Sequence, residues 1–204
     1  TAVNLDLAGG VSDLAANYST LLGAQTAGLT LIAAQDKTAT LKVSDAVNML
    51  QFVDLDAASD TAINLAGGIS DTADNLMSDD GNTAVTAFTN ARTQKTDVDV
   101  NITDAPTVDQ LNAIHALTTG KITAAISGNV ADLVSISTDG TDDITITVND
   151  AADIAQTVTL DGVTAVNLDL AGGISDTAIV MMSTDGNTAV TAFTTATNQD
   201  TDVD

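Results

Sequence analysis

The groups in this sequence best suited to chemistry are carboxylates, and all 28 of its acidic residues are Asp. They gather in short runs: Asp54, Asp56 and Asp60; Asp79, Asp80 and Asn82; Asp139, Asp142 and Asp143; Asp185 and Asn187. Asp and Asn side chains with turn carbonyls supply hard oxygens, and a Ca²⁺ ion takes about six to eight of these. The runs therefore predict calcium as the cofactor, held at turns and stabilising the fold by linkage. No run has the EF-hand spacing, and in LAGGISDTA an Ile and a Ser separate the Gly pair from the Asp.

Other chemistry is scarcer. His115 is the single histidine and stands beside an apolar stripe, so it reads as a surface or packed side chain. The sequence has no Cys, which removes thiolate metal sites, cysteine nucleophiles and disulfides. It also lacks a G-x-S-x-G elbow, a phosphate loop and an H-E-x-x-H helix. The pairs Gly9-Gly10, Gly67-Gly68 and Gly172-Gly173 follow strand-like runs and read as tight turns with positive φ rather than phosphate cradles. The expectation is a protein without catalytic activity. The alternative is a carbohydrate-active β-solenoid enzyme, working through two carboxylates, or a phage fibre or tailspike segment.

These residues are positioned by a repeat. Thr164–Gly173, TAVNLDLAGG, repeats the first ten residues of the chain, and a shortened copy begins at Thr61. The triplets Val11-Ser12-Asp13, Ile69-Ser70-Asp71, Ile126-Ser127-Gly128 and Ile174-Ser175-Asp176 follow one another at 58, 57 and 48 residues. A second anchor, a strand ending in Asp-Ala, places Asp45, Asp104 and Asp150 at 24, 22 and 24 residues before the next triplet. The phasing predicts one continuous array over 1–204, with approximate units 1–45, 46–104, 105–150 and 151–204. Thr1 already lies inside a repeat, and the final TDVD matches Thr96–Asp99, so the sequence reads as a window on a longer repetitive chain.

Short β-branched runs predict strands at LTLIA, TLKVS, AINLA, DVNIT, KITAAIS, ITITV and AVNLDLA. A helix is predicted after Asp104, with Asp104 as cap, Pro106 in the first turn and Gly120 at the end; a second is predicted over Thr83–Ala91. Connections of about twenty residues favour parallel over hairpin pairing. The expected fold class is a repeat solenoid, β-rich with short helices (parallel β or α/β). The alternative is a series of tandem β-sandwich modules.

Composition sets the remaining bounds. The net charge of −23 repels nucleic acid and anionic membranes and attracts divalent cations. No apolar run is long enough to span a bilayer. The five basic residues, Lys37, Lys42, Arg92, Lys95 and Lys121, are absent from the last unit, which a periodic scaffold tolerates better than an active site. Aromatic residues are 2% of the chain, so the core is aliphatic and few platforms exist for sugars.

The phrase ITDAPTVDQLNAIHALTTGKITAAISGNVADL, Ile102–Leu133, and the Thr/Ala/Asp composition around it resemble the long repeats of very large secreted bacterial surface proteins. These occur especially in cyanobacteria, among calcium-dependent adhesins and surface-layer-like proteins. The resemblance implies export to the cell surface, assembly there and dependence on calcium. The expected function is a structural extracellular repeat module of a surface layer, filament or adhesin. Its partners would be neighbouring repeats of the parent chain and further copies of itself, end to end or laterally, with no nucleic acid and no membrane insertion.

Overall fold

The computed structural model describes residues 7, 9–166, 168–182 and 189–194. The chain divides into two compact units, one formed by 1–103 with 116–120 and the other by 104–115 with 121–204. Each is an α/β body of parallel strands and short helices.

In the first unit the order is β1 (Val11–Asp13), α1 (Ala15–Tyr18), α2 (Ala27–Gln35), β2 (Leu41–Val43), α3 (Met49–Ala58), β3 (Asn64–Leu65), β4 (Ile69–Asp71), α4 (Ala73–Leu76), α5 (Thr86–Gln94) and β5 (Val100–Ile102). Strands β1, β2 and β3 form a sheet in that order, with Val11 opposite Leu41 and Val43 opposite Leu65. Strand β4 belongs to a different sheet, pairing with β5 so that Ile69 faces Val100 and Asp71 faces Ile102. All these pairs are parallel.

In the second unit α6 (Val108–His115), β6 (Ile122–Gly128), α7 (Val130–Leu133), β7 (Asp143–Val148), α8 (Ile154–Asp161) and α9 (Ala178–Met181) follow. Strands β6 and β7 pair in parallel from Thr123–Asp143 to Gly128–Val148.

Alternation explains which side of each strand is buried. Leu41 and Val43 are buried while Lys42 is exposed, and Val100 and Ile102 are buried around an exposed Asn101. Across the longest pair buried Ala124 lies opposite Ile144 and Ile126 opposite Ile146. Phe52 of α3 and Phe88 of α5 are fully buried and fill the spaces that aliphatic side chains leave. Each such burial stabilises the fold by about 1.5–3 kcal/mol.

Two expectations about the fold are corrected. A single continuous solenoid does not form: within the first unit the strands already fall into two different sheets, with β3 closing one and β4 opening the next. Helices of eight to ten residues also take up much of the chain between the short strands. A β-sandwich is overturned as well. Every named strand pair is parallel, and among the described residues the antiparallel contacts are single bridges at Ser19–Gln25, Met77–Ala84 and Met182–Ala189.

At element level, LTLIA lies inside α2 rather than in a strand. The Thr26 hydroxyl oxygen accepts from Leu29 N and starts a helix there. A short apolar run fits either period, and the local cap decided between them. Helix α6 is capped by Thr107, not Asp104. Gln110 returns the bond to Thr107 N, and the helix ends at His115, well before Gly120.

Candidate functional site

Four of the Asp residues picked out by spacing, Asp45, Asp71, Asp150 and Asp176, turn out to be helix clamps. Asp45 Oδ1 accepts from Ala15 N (2.6 Å), Asp71 Oδ2 from Met49 N (2.7 Å), Asp150 Oδ1 from Val130 N (2.6 Å) and Asp176 Oδ2 from Ile154 N (3.3 Å). Each donor is the first residue of a helix, and each lies 20 to 30 residues before its acceptor. The first turn of a helix has N–H groups with no intrahelical partner, and its dipole favours an anion. Asp71 uses its other oxygen locally, for Thr72 N and Asn75 Nδ2.

A second device uses hydroxyls. Ser59 Oγ donates to Ala39 O, Thr118 Oγ1 to Val98 O and Thr164 Oγ1 to Ile144 O, each across 20 residues in a buried setting. The same oxygens accept from Thr61 N, Gly120 N and Val166 N, so each ties its own turn to the preceding one. Sequence reasoning missed these three, although the S/T-x-T/G/V spacing at 59–61, 118–120 and 164–166 was available as a signal.

The predicted metal residues are placed individually, and Asp54, Asp56, Asp80, Asp139, Asp142 and Asp143 accept from protein donors. Asp54 accepts from Ser19 Oγ and Asp56 from Gln94 Nε2, while Asp60 is exposed and joins Lys37 O through its N–H. Asp79 is exposed. Asp80 gathers Ser78 Oγ, Asn82 N, Thr83 N and Thr83 Oγ1, and Asn82 donates back to Asp80 O. Those donors, the Thr83 hydroxyl foremost, hold the Asp80 carboxyl far below the usual range.

Asp139 accepts from Thr141 N and Oγ1, which lowers its pKa too. Asp143 pairs with Lys121. Asp185 and Asn187 lie outside the described residues. Among the described residues no three His, Cys, Asp or Glu side chains gather as a metal-holding group.

Asp142 has the most unusual surroundings of the acids. Its side chain is 2% exposed, its Oδ1 accepts from Ile122 N at 2.7 Å, and its Oδ2 stands 3.1 Å from His115 Nδ1. The ring nitrogen and the carboxylate oxygen are close but not aligned as a hydrogen bond. An imidazole beside a buried carboxylate is two thirds of a charge-relay triad. Among the described residues no Ser or Thr hydroxyl is hydrogen-bonded to His115, so no nucleophile is set against the ring.

Two shallow clefts lie in the first unit. One, of about 240 Å³, is lined by Gly10, Ser12, Thr40, Lys42 and Asn64 among others; the other, of about 300 Å³, by Ala62, Ile63, Asn64, Gln94 and Lys95. The strand register sets Ser12, Lys42 and Asn64 side by side on the exposed face. Neither cleft is lined by a carboxylate. Acid–base cleavage of a glycoside needs two, so these clefts offer hydrogen bonds and a lysine ammonium but no acid pair.

No protein-family model, no curated protein and no solved structure matches this chain. Its reading therefore rests on the residues themselves.

Proposed function

We propose that the chain is a structural repeat module of an extracellular assembly at a cell surface: a surface layer, a filament or an adhesin. One observation carries the reading. Four of the Asp residues that recur through the sequence, Asp45, Asp71, Asp150 and Asp176, join stretches of chain at helix starts, and the Ser59, Thr118 and Thr164 hydroxyls do so at buried carbonyls. Recurrence at these Asp positions accompanies internal stitching, as a mechanical scaffold requires, rather than a cleft.

Calcium enters the proposal as a counter-ion. A surface of net charge −23 repels itself, and divalent cations accumulating around it relieve that repulsion when copies or neighbouring repeats come together. The test is a thermal melt of the chain in calcium and in chelator, with negative-stain imaging of both samples. The reading expects ordered arrays or fibres in calcium and a Tm that climbs gradually with its concentration. A dispersed, unassembling protein under every condition would overturn it.

A further inference from the structure

The phrase that ends in Gly-Gly and (Val/Ile)-Ser-Asp occurs three times, and its first copy lacks a neighbour that the other two have. Downstream, the first two copies agree bond for bond. Val11 N donates to Thr40 O as Ile69 N does to Asp99 O, and Ser44 N donates to Asp13 O as Thr103 N does to Asp71 O. Within the phrase they agree again. Asp13 Oδ1 accepts from Leu14 N and Asn17 Nδ2, as Asp71 Oδ1 accepts from Thr72 N and Asn75 Nδ2.

Upstream they differ. In the second copy Val47 N donates to Gly68 O, Ser70 N to Val47 O and Met49 N to Asp71 Oδ2. In the third, Ala152 N donates to Gly173 O, Ser175 N to Ala152 O and Ile154 N to Asp176 Oδ2. The seated turn also crosses the first glycine of each pair, so a Cβ there would fall 2.0 Å from the Asp45 carbonyl carbon at Gly67 and 2.1 Å from that of Asp150 at Gly172. In the first copy Gly10 O, Ser12 N and Asp13 Oδ2 have no partner among the described residues, and a Cβ on Gly9 would meet nothing within 4 Å. Asp13 is exposed, whereas Asp71 in the filled copy is buried. A strand edge with free N–H and C=O groups is a template for one more strand.

We propose that Gly9, Gly10, Ser12 and Asp13 form a docking edge for one preceding turn of this same repeat, an extended Asp-Ala-x-(Asn/Asp) segment that runs straight into a helix. The two turns already seated supply the pattern: Asp45-Ala46-Val47-Asn48 enters α3 and Asp150-Ala151-Ala152-Asp153 enters α8. The occupant comes from upstream in the chain rather than from a separate molecule, because both seated helix starts lie 22 residues before the carboxylate that receives them. Charge does not oppose it. The same Asp-bearing turn packs twice inside a chain of net charge −23, and each time the receiving carboxylate takes a helix N–H. This edge deepens the repeat-scaffold reading and rests on it.

The experiment adds the missing turn. Residues 121–163 are duplicated directly ahead of Thr1, so that Val163 leads into TAVNLDLAGG as it already does at Thr164. Hydrogen exchange at the Ser12 amide is read in the 204-residue chain and in the extended one. Exchange at Ser12 is expected to be at least about tenfold slower in the extended chain. Gly9→Ala is expected to leave the Tm of the 204-residue chain unchanged and to return Ser12 of the extended chain to fast exchange. Asp13→Asn, which keeps an oxygen for Leu14 N but turns an N–H toward the incoming helix, is expected to weaken the protection. Ser12 exchanging alike in both chains, whether the added turn stays unfolded or seats elsewhere, overturns the proposal. So does protection that survives Gly9→Ala. Protection of Ser12 in the 204-residue chain that grows with protein concentration overturns it too, and assigns the edge to a second copy. Absence of calcium-dependent assembly counts against the scaffold reading through a separate readout, so the two failures are told apart.

Discussion

Asp71 takes hydrogen bonds on both oxygens, from Thr72 N and Asn75 Nδ2 on one side and from Met49 N on the other. Replacing it with Ala strands the buried Met49 N–H, and Asp71→Ala is expected to destabilise the chain by about 1–3 kcal/mol in urea unfolding. The spacing of the strand-end Asp residues was legible, because it is a pattern along the chain. Their work was not: each donor lies 20 to 30 residues away, where no local cap rule looks.

Tyr18 offers a second test at this scale. It donates to Val11 O, and burial, with the charge of Asp13 adding, pushes its pKa up to about 12. As the only Tyr, it can be followed by absorbance. The folded chain is expected to titrate near 12 and the urea-unfolded chain near the ordinary value of about 10. A raised folded pKa supplies stability below the ordinary value and loses it above, so alkaline unfolding should begin as the pH climbs between the two.

Turns and strands set the next scale. A Cβ added to Gly67 would fall 2.0 Å from the carbonyl carbon of Asp45, and one on Gly172 would fall 2.1 Å from that of Asp150, so in both places backbone passes over backbone. Gly9, in the equivalent position of the first copy, has nothing within 4 Å. Gly67→Ala is expected to cost at least about 2–3 kcal/mol in a denaturant titration, and Gly9→Ala less than about 0.5 kcal/mol. The Gly-Gly pairs were read as positive-φ turns, which holds for Gly68 at φ 78°. The close approach at Gly67 could not be read, since sequence carries no distances.

Strands with true alternation, such as ITITV and LKV, were legible by period. The misread LTLIA contains a single buried side chain, Leu29, and so had no strand face to declare. The change of sheet between β3 and β4 was equally hidden. It takes place across Ala66–Gly68, inside what the repeat presents as one continuous phrase.

For the whole molecule the dominant quantity is charge. Asp13, Asp36, Asp80 and Asp139 have lowered pKa values because side-chain and backbone donors favour their ionised forms. A carboxylate lowered in the folded state stabilises the fold above the unfolded value of about 3.9 and loses that contribution as the pH falls below it. Thermal stability is expected to drop on acidification below about pH 4. The quadruple Asn variant at these positions should show a shallower drop when melts are run from pH 6 to pH 2.

The clamps also give the fold a direction in time. Asp45, Asp71, Asp150 and Asp176 each lie downstream of a helix start that they satisfy. A chain emerging N-terminus first therefore makes each helix before its acceptor exists, and the newest stretch is always the least secured until the next Asp arrives. Order should advance along the chain in steps, each a contact between near neighbours in sequence and so a fast one. Hydrogen exchange on stalled nascent chains would register this: the Met49 amide should become protected when the stall point moves past Asp71, and remain open when that residue is Ala.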